Sequence, residues 1–247
     1  MTTGKVSVVG TGPGSPPYLT ARAEQALKES DLVIGYRLYV NQVAALIEGK
    51  EAVSSAMGKE VERCRLAVAE AVQGKKVALV SGGDPGIYGM AGLLLQVAGE
   101  SVPVPEVEVI PGVTAAGAAA ALLGAPLMHD FAVISLSDLL TPWEVIEKRL
   151  HAAASADFVI VLYNPRSRGR TNLLAGARAI ILEYQKEETA VGMVRGVGRD
   201  EEKKWATTLE DMADCMEEAD MSTLVIIGNS HTYWEKGRMI TPRGYEL

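Results

Sequence analysis

The chain has 247 residues, 48% apolar and 22% charged, and its 24 Lys and Arg against 31 Asp and Glu leave a net charge of −7. That length and composition support a sizeable core and exclude a disordered chain. The acidic balance argues against a general nucleic-acid binder and requires a local basic patch for any anionic substrate.

MTTGKVSVVG lacks the basic and apolar regions of a signal peptide. Strand signals then follow as apolar, β-branched runs: KVSVVG at 5–10, DLVIG at 31–35, KKVALV at 75–80 and VEVIP at 107–111. Helical stretches separate them. Between Lys59 and Gln73, Val61, Cys64, Val68 and Val72 fall on one helical face, which makes Cys64 a core thiol. Strands alternating with helices imply a parallel sheet covered on both faces. TAAGAAAALLGAP, from Thr114, reads as a small-residue helix ending at Gly124, with Pro126 blocking its continuation. The run from Ala115 to Met128 is too short and too interrupted to span a bilayer, so a cytoplasmic protein with no membrane or nucleic-acid partner is expected. The domain boundary is placed at the end of this helix, giving α/β domains over 1–123 and 124–247.

A second series begins with FAVISL at 131–136 and continues through DFVIVLY at 157–163, TAVGMV at 189–194 and STLVIIG at 222–228. TPWEVIEKRL is read as a helix start, with Thr141 as N-cap, Pro142 in the first position and Glu144 closing a capping box. EDMADCMEEAD, at 210–220, reads as a solvated acidic helix face. The two cysteines, Cys64 and Cys215, fit a reducing compartment and by themselves hold neither an iron–sulfur cluster nor a structural zinc. No metal site is expected.

Three glycine-bearing loops follow strands of the first domain: GTGPG, SGGDPGIYGMAG and PGVTAAG. Open α/β sheets bind ligands at that carboxyl edge. The spacing of Gly10, Gly12 and Gly14 departs from a dinucleotide fingerprint, and DLVIG ends without the acid that would hold a ribose. No Lys follows the glycines as a phosphate-binding loop requires. An oxidoreductase on a nicotinamide cofactor is therefore disfavoured, and so is a triphosphate ligand.

In that order and on those strands, GTGPG, SGGDPGIYG and PGVTAA resemble the tetrapyrrole methylase family over essentially the whole chain. LMHDFAVISLSDLLTPWEVIEKR, FVIVLYNPRSRGR and ITPRGY are similar to its members acting at C-17 of precorrin-3B. The resemblance implies a class III methyltransferase fold: two α/β domains, parallel or mixed sheets flanked by helices, and a cofactor cleft between them. It also implies a homodimer that uses S-adenosylmethionine and releases S-adenosylhomocysteine. The implied reaction is methylation of precorrin-3B at C-17 with ring contraction to precorrin-4. The cobalt-loaded equivalent, cobalt-factor III, is the alternative substrate, and a non-catalytic tetrapyrrole or cofactor carrier is the alternative class.

By the same resemblance, Pro13, Gly83, Asp84, Ile87, Tyr88, Thr114 and Ala115 would contact the cofactor, with Asn164, Gly192, Thr223 and Leu224 from the second domain. At Asn164 the chain departs from relatives acting on other tetrapyrroles, which often carry methionine there. Asp84 is expected to position its loop and to ligate no metal. An activated sulfonium methyl needs mainly placement and exclusion of water, which fits the lack of a nucleophile motif. Ring contraction adds proton transfers, for which His129, Asp130 and Asp138 are the candidates. His129-Asp130 has a plain alternative as a cap on strand FAVIS. Ser135 and the arginines of YNPRSRGR, Arg166, Arg168 and Arg170, are read as substrate-binding, since guanidinium forks match carboxylates. His151 and His231 have no comparable neighbours and are expected in surface or capping roles.

Overall fold

Period-two alternation decides where the cores lie. The structure, a computed structural model, describes residues 3–166 and 172–246. The chain divides into two compact units, Met1–Ala115 and Ala116–Leu247.

In the first unit β1 (Lys5–Gly10), α1 (Ala21–Glu29), β2 (Leu32–Tyr36), α2 (Arg37–Gln42), β3 (Glu51–Ser55), α3 (Glu60–Val72), β4 (Lys76–Ser81), α4 (Ala91–Gly99) and β5 (Glu106–Ile110) succeed one another. The strands form one parallel sheet in the order β3-β2-β4-β1-β5. Val6, Val8, Leu32, Ile34, Val77 and Leu79 pack on one face with Cys64 and Leu94. Val9, Val33, Ala78 and Val80 pack on the other with Ala23 and Leu27 of α1. Successive residues of each strand thus feed opposite cores. Cys64 is fully buried, and burial pushes its thiol up to about 11. Val61, placed on the same face by its spacing, is exposed; Ala67 and Ala71 complete the buried stripe in its stead. Thr20 caps α1, its hydroxyl accepting the Ala23 N–H at 3.1 Å.

The second unit contains α5 (Ala115–Leu123) from Ala116 onward, then β6 (Gly124–Ala125), β7 (Phe131–Ser135), α6 (Trp143–Ser155), β8 (Val159–Tyr163), α7 (Leu173–Leu182), β9 (Ala190–Arg195), β10 (Lys203–Thr208), β11 (Thr223–Ile227), β12 (Tyr233–Glu235) and β13 (Arg238–Ile240). The alanine-rich helix, placed by its sequence before the boundary, falls after it because Leu123 packs directly on Gly192 of β9.

The main sheet of this unit has the order β10-β9-β11-β8-β7 and is mixed. β7 and β8 are parallel, whereas β11 runs antiparallel to β8 and β9. β9 returns as β10 through a turn with Gly196 and Gly198 at positive φ, so no crossover helix is needed. Its core gathers Ile146, Leu150, Leu162, Leu174, Ile181, Met193 and Val225.

Two helix expectations are corrected here. α6 begins after Pro142, whose extended backbone (ψ 145°) makes it the cap, and no side chain closes a capping box. The Pro142 carbonyl accepts the N–H groups of Val145 and Ile146 instead. The acidic stretch forms two short 3-10 turns, Asp211–Asp214 and Met216–Glu218. Met212 and Cys215 are drawn into the core, so the segment is not a solvated face throughout.

Candidate active site

The three glycine loops leave the carboxyl ends of β1, β4 and β5 and meet through backbone. The Thr11 N–H donates to the Ser81 carbonyl at 2.9 Å, and Gly12 and Gly83 exchange N–H···O bonds of 3.2 and 2.8 Å. Both glycines lie at positive φ, 71° and 63°. A methyl group on Gly112 would stand 2.1 Å from the Gly83 carbonyl oxygen and 2.9 Å from Gly10 Cα. No other residue type fits there.

Asp84 completes the junction. Its Oδ1 accepts the Gly86 N–H at 2.8 Å, and its Oδ2 accepts the Gly112 N–H at 3.1 Å. The carboxylate therefore ties the second loop to the third. The Thr20 hydroxyl donates to the Pro111 carbonyl at 3.4 Å, joining the end of the first loop to the third. Ile87 and Tyr88 follow Asp84 with 39% and 55% exposure, and Tyr88 holds a strained φ of 53°. Thr114 and Ala115 come immediately after Gly112-Val113, at the start of α5. Asp84 is the one charged residue within 10–18, 81–92 and 111–117. Such loops suit a ligand with cationic groups and no phosphate, offering backbone donors and acceptors and a single carboxylate.

A cavity of about 170 Å³, lined among others by Thr11, Ser15, Leu19, Gln42 and Leu46, opens beside the first loop. Sites for drug-sized ligands run from roughly 300 Å³ upward, so this cavity has room for a side group only.

In the second unit the ends of β7, β8 and β9 and the start of β11 share one edge. Asn164, directly after β8 at φ 54°, donates its side-chain amide to the Ser135 hydroxyl at 3.0 Å. The Ser137 N–H donates to the same hydroxyl, and half-buried Asp138 follows it. Thr223 is buried at the start of β11, opposite Arg195 of β9, and Leu224 is buried beside it. Gly192 lies further in, opposite Ile226; a methyl group on it would meet Leu123 Cδ1 at 2.4 Å, so it serves helix packing.

Arg166 and Arg195 converge on the turn Met216–Glu218. Arg166 Nη1 donates to the carbonyl of Glu217 at 2.7 Å, and Arg195 Nη1 donates to that of Glu218 at 3.1 Å. Lys203 is ion-paired with the Glu218 carboxylate and stands over the Trp205 ring. Arg166 thus has a structural occupation that its sequence does not announce. Arg195 is the cation at this edge that motif reading missed; its signal is its place as the last residue of β9. Arg168 and Arg170 lie outside the described residues.

His129 and Asp130 stand elsewhere. They precede β7, so the length of that strand, roughly 17 Å, separates them from the edge of Ser135, Asp138 and Asn164. They line a polar cavity with Asp157, Asn229 and His231, which gives His231 the neighbours that sequence spacing hid. His129 Nδ1 is 3.9 Å from Asp130 Oδ2, and both side chains are more than half exposed. Burial works to raise the Asp157 carboxyl, but the Ser230 hydroxyl and N–H and the Gln185 amide outweigh it and hold it below the usual range. His151 contacts the Tyr184 hydroxyl at 3.0 Å on the surface of α6.

Comparisons with known proteins identify the family. The profile of Tetrapyrrole (Corrin/Porphyrin) Methylases matches residues 5–213. The chain is 52% identical to the probable cobalt-factor III C(17)-methyltransferase of Salmonella typhimurium, over 98% of this chain and 100% of that protein. The crystal structure of the methyltransferase CobJ superposes with a TM-score of 0.91 at 36% identity, covering 97% of this chain and 100% of CobJ. A uroporphyrin-III C-methyltransferase of Thermus thermophilus, solved in complex with S-adenosylhomocysteine, gives a TM-score of 0.70 at 28% identity, over 91% and 97% of the two chains. No helix among the described residues is long and apolar enough to cross a membrane. The chain belongs to the tetrapyrrole methylase family.

Proposed function

We propose that the protein transfers the methyl group of S-adenosylmethionine to C-17 of a polycarboxylate tetrapyrrole in cobalamin biosynthesis, with contraction of the macrocycle. One observation carries the cofactor assignment: three loops in backbone contact, the third tied in by Asp84, which is their single charge. S-Adenosylmethionine bears a sulfonium, an ammonium and one carboxylate, a net positive charge, and no phosphate, which is compatible with that charge pattern. Asp84, Ile87, Tyr88, Thr114 and the backbone near Pro13 are the residues of the first unit assigned to it. Asn164, Thr223 and Leu224 are those of the second.

In the transfer the substrate carbon supplies the electron pair, the sulfur–methyl bond breaks, and S-adenosylhomocysteine leaves as a neutral thioether. The protein's part is alignment and exclusion of water. Contraction requires proton movement, and Asp138, on the edge shared with Ser135 and Asn164, is the acid–base candidate. His129 and Asp130 are not, because they stand at the far end of β7.

Cobalt-factor III is the substrate favoured by the full-length relative from Salmonella typhimurium. Metal-free precorrin-3B, giving precorrin-4, is the second reading, supported by the LMHDFAVISLSDLL and YNPRSRGR strings. Incubation with S-adenosylmethionine and each macrocycle, followed by mass spectrometry, tests both. The expected result is a gain of one methyl group with equimolar S-adenosylhomocysteine on one of the two. No gain on either would overturn the reading.

A further inference from the structure

A macrocycle carrying many carboxylates needs cations at its binding site, and the glycine loops contain none. Most cations of the first unit are already occupied. Lys5 and Arg22 pair with Glu108, Lys28 with Glu24, Arg63 with Glu60 and Lys75 with Glu51. Lys59 pairs with Glu62, and Lys50 bonds the carbonyls of Lys28 and Ser30. Among the described residues, the side chains of Arg37, Arg65 and Lys76 have no such partner. Lys76 opens β4 at the amino edge of the sheet, and Arg65 lies within α3. Arg37 alone of the three directly follows the carboxyl end of a strand, β2, on the edge from which the glycine loops emerge.

Nothing local explains a cation there. Arg37 is the first residue of α2, where the helix dipole disfavours positive charge, and its side chain is exposed without an acid beside it. The element that carries it is nevertheless fixed to two of the three loops. A Cβ on Gly82 would fall 2.4 Å from the Tyr39 ring, so α2 sits directly on the SGGDPG backbone. The Tyr36 ring meets Tyr39 edge-on at 5.4 Å. At the far end of the helix, the Thr11 hydroxyl of the first loop donates to Gln42 Oε1 at 3.4 Å.

We infer that Arg37 binds a peripheral carboxylate of the tetrapyrrole and that α2 is a substrate-positioning element built onto the glycine loops. This rests on the reading of the substrate given above. An unpaired guanidinium on a helix packed against the loops offers a bidentate fork to a carboxylate, and in an acidic protein it supplies the local attraction that the net charge opposes.

The test compares R37Q, R37K and R65Q with the wild type in methyl transfer to cobalt-factor III or precorrin-3B, whichever the wild type uses. R37Q is expected to raise the KM for the macrocycle about tenfold, the loss of one charge-assisted contact, with kcat and S-adenosylhomocysteine affinity held within about twofold. R37K should recover part of the KM, since it keeps the charge and loses the fork, and R65Q should match the wild type. Unchanged KM in R37Q would overturn the assignment of Arg37 and leave the reaction intact. So would an equal rise in R65Q, which would make the effect one of net charge. A wild type that methylates neither macrocycle would instead overturn the underlying reading.

Discussion

The two candidate edges of this protein are built from different materials. At the edge of the first sheet, Gly10, Gly12, Gly83 and Gly112 bring three loops into contact through backbone, and the Asp84 carboxylate ties loops two and three. At the edge of the second sheet, side chains make the ties: Asn164 to Ser135, and Arg166 and Arg195 to the carbonyls of the Met216–Glu218 turn. At Gly10, Gly12 and Gly112 the backbone junction leaves no room for an added atom, whereas a side-chain junction can lose a member and relax.

The contrast is sharpest at Gly112. Gly112→Ala should abolish S-adenosylhomocysteine binding by calorimetry and cost about 1–3 kcal/mol or more in thermal unfolding, because the nearest obstacle is the Gly83 backbone. Gly92→Ala, in α4 with open space around it, should instead stabilise by up to ~1 kcal/mol. Equal behaviour of the two variants would break the claim that the junction is sterically closed.

Gly192→Ala probes the second unit and should have a smaller effect. The obstacle is Leu123 Cδ1, the end of a flexible side chain, so a loss of about 1–2 kcal/mol is expected. Adding Leu123→Ala should cost less than the two changes separately, with a coupling of at least ~0.5 kcal/mol. Strict additivity in denaturant unfolding would show that Gly192 has a role other than receiving α5.

The smallest expected effect belongs to the polar cavity at the far end of β7. His129→Ala combined with Asp130→Ala should leave kcat/KM within about twofold, as for exposed sites remote from the chemistry. A hundredfold fall in steady-state turnover would return the pair to the catalytic machinery.

Much of the first unit was legible in its sequence because strong apolar runs are also its central strands. β1, β2, β4 and β5 coincide with KVSVVG, DLVIG, KKVALV and VEVIP. β3 was not legible: EAVSS is an edge strand with no fully buried residue, so it has no apolar run to display. β10 was hidden likewise, as KKWATT pairs through backbone at the opposite margin of the second sheet. The glycine loops could be read from their motifs as candidate ligand loops. Their mutual contact could not, since Gly10 and Gly112 lie far apart in sequence and meet only once β1 and β5 pair. Spacing likewise could not reveal that His129 and His231 share a cavity, or that Arg166 reaches the carbonyl of Glu217.

We propose that the three glycine loops together hold S-adenosylmethionine. Hydrogen–deuterium exchange on the intact protein, with and without S-adenosylhomocysteine, reads this directly. Slowed exchange at 10–15, 82–88 and 112–115 in concert is expected, with little change around His129 and Asp130. Protection confined to one loop, or appearing instead around His129, Asp157 and His231, would contradict it.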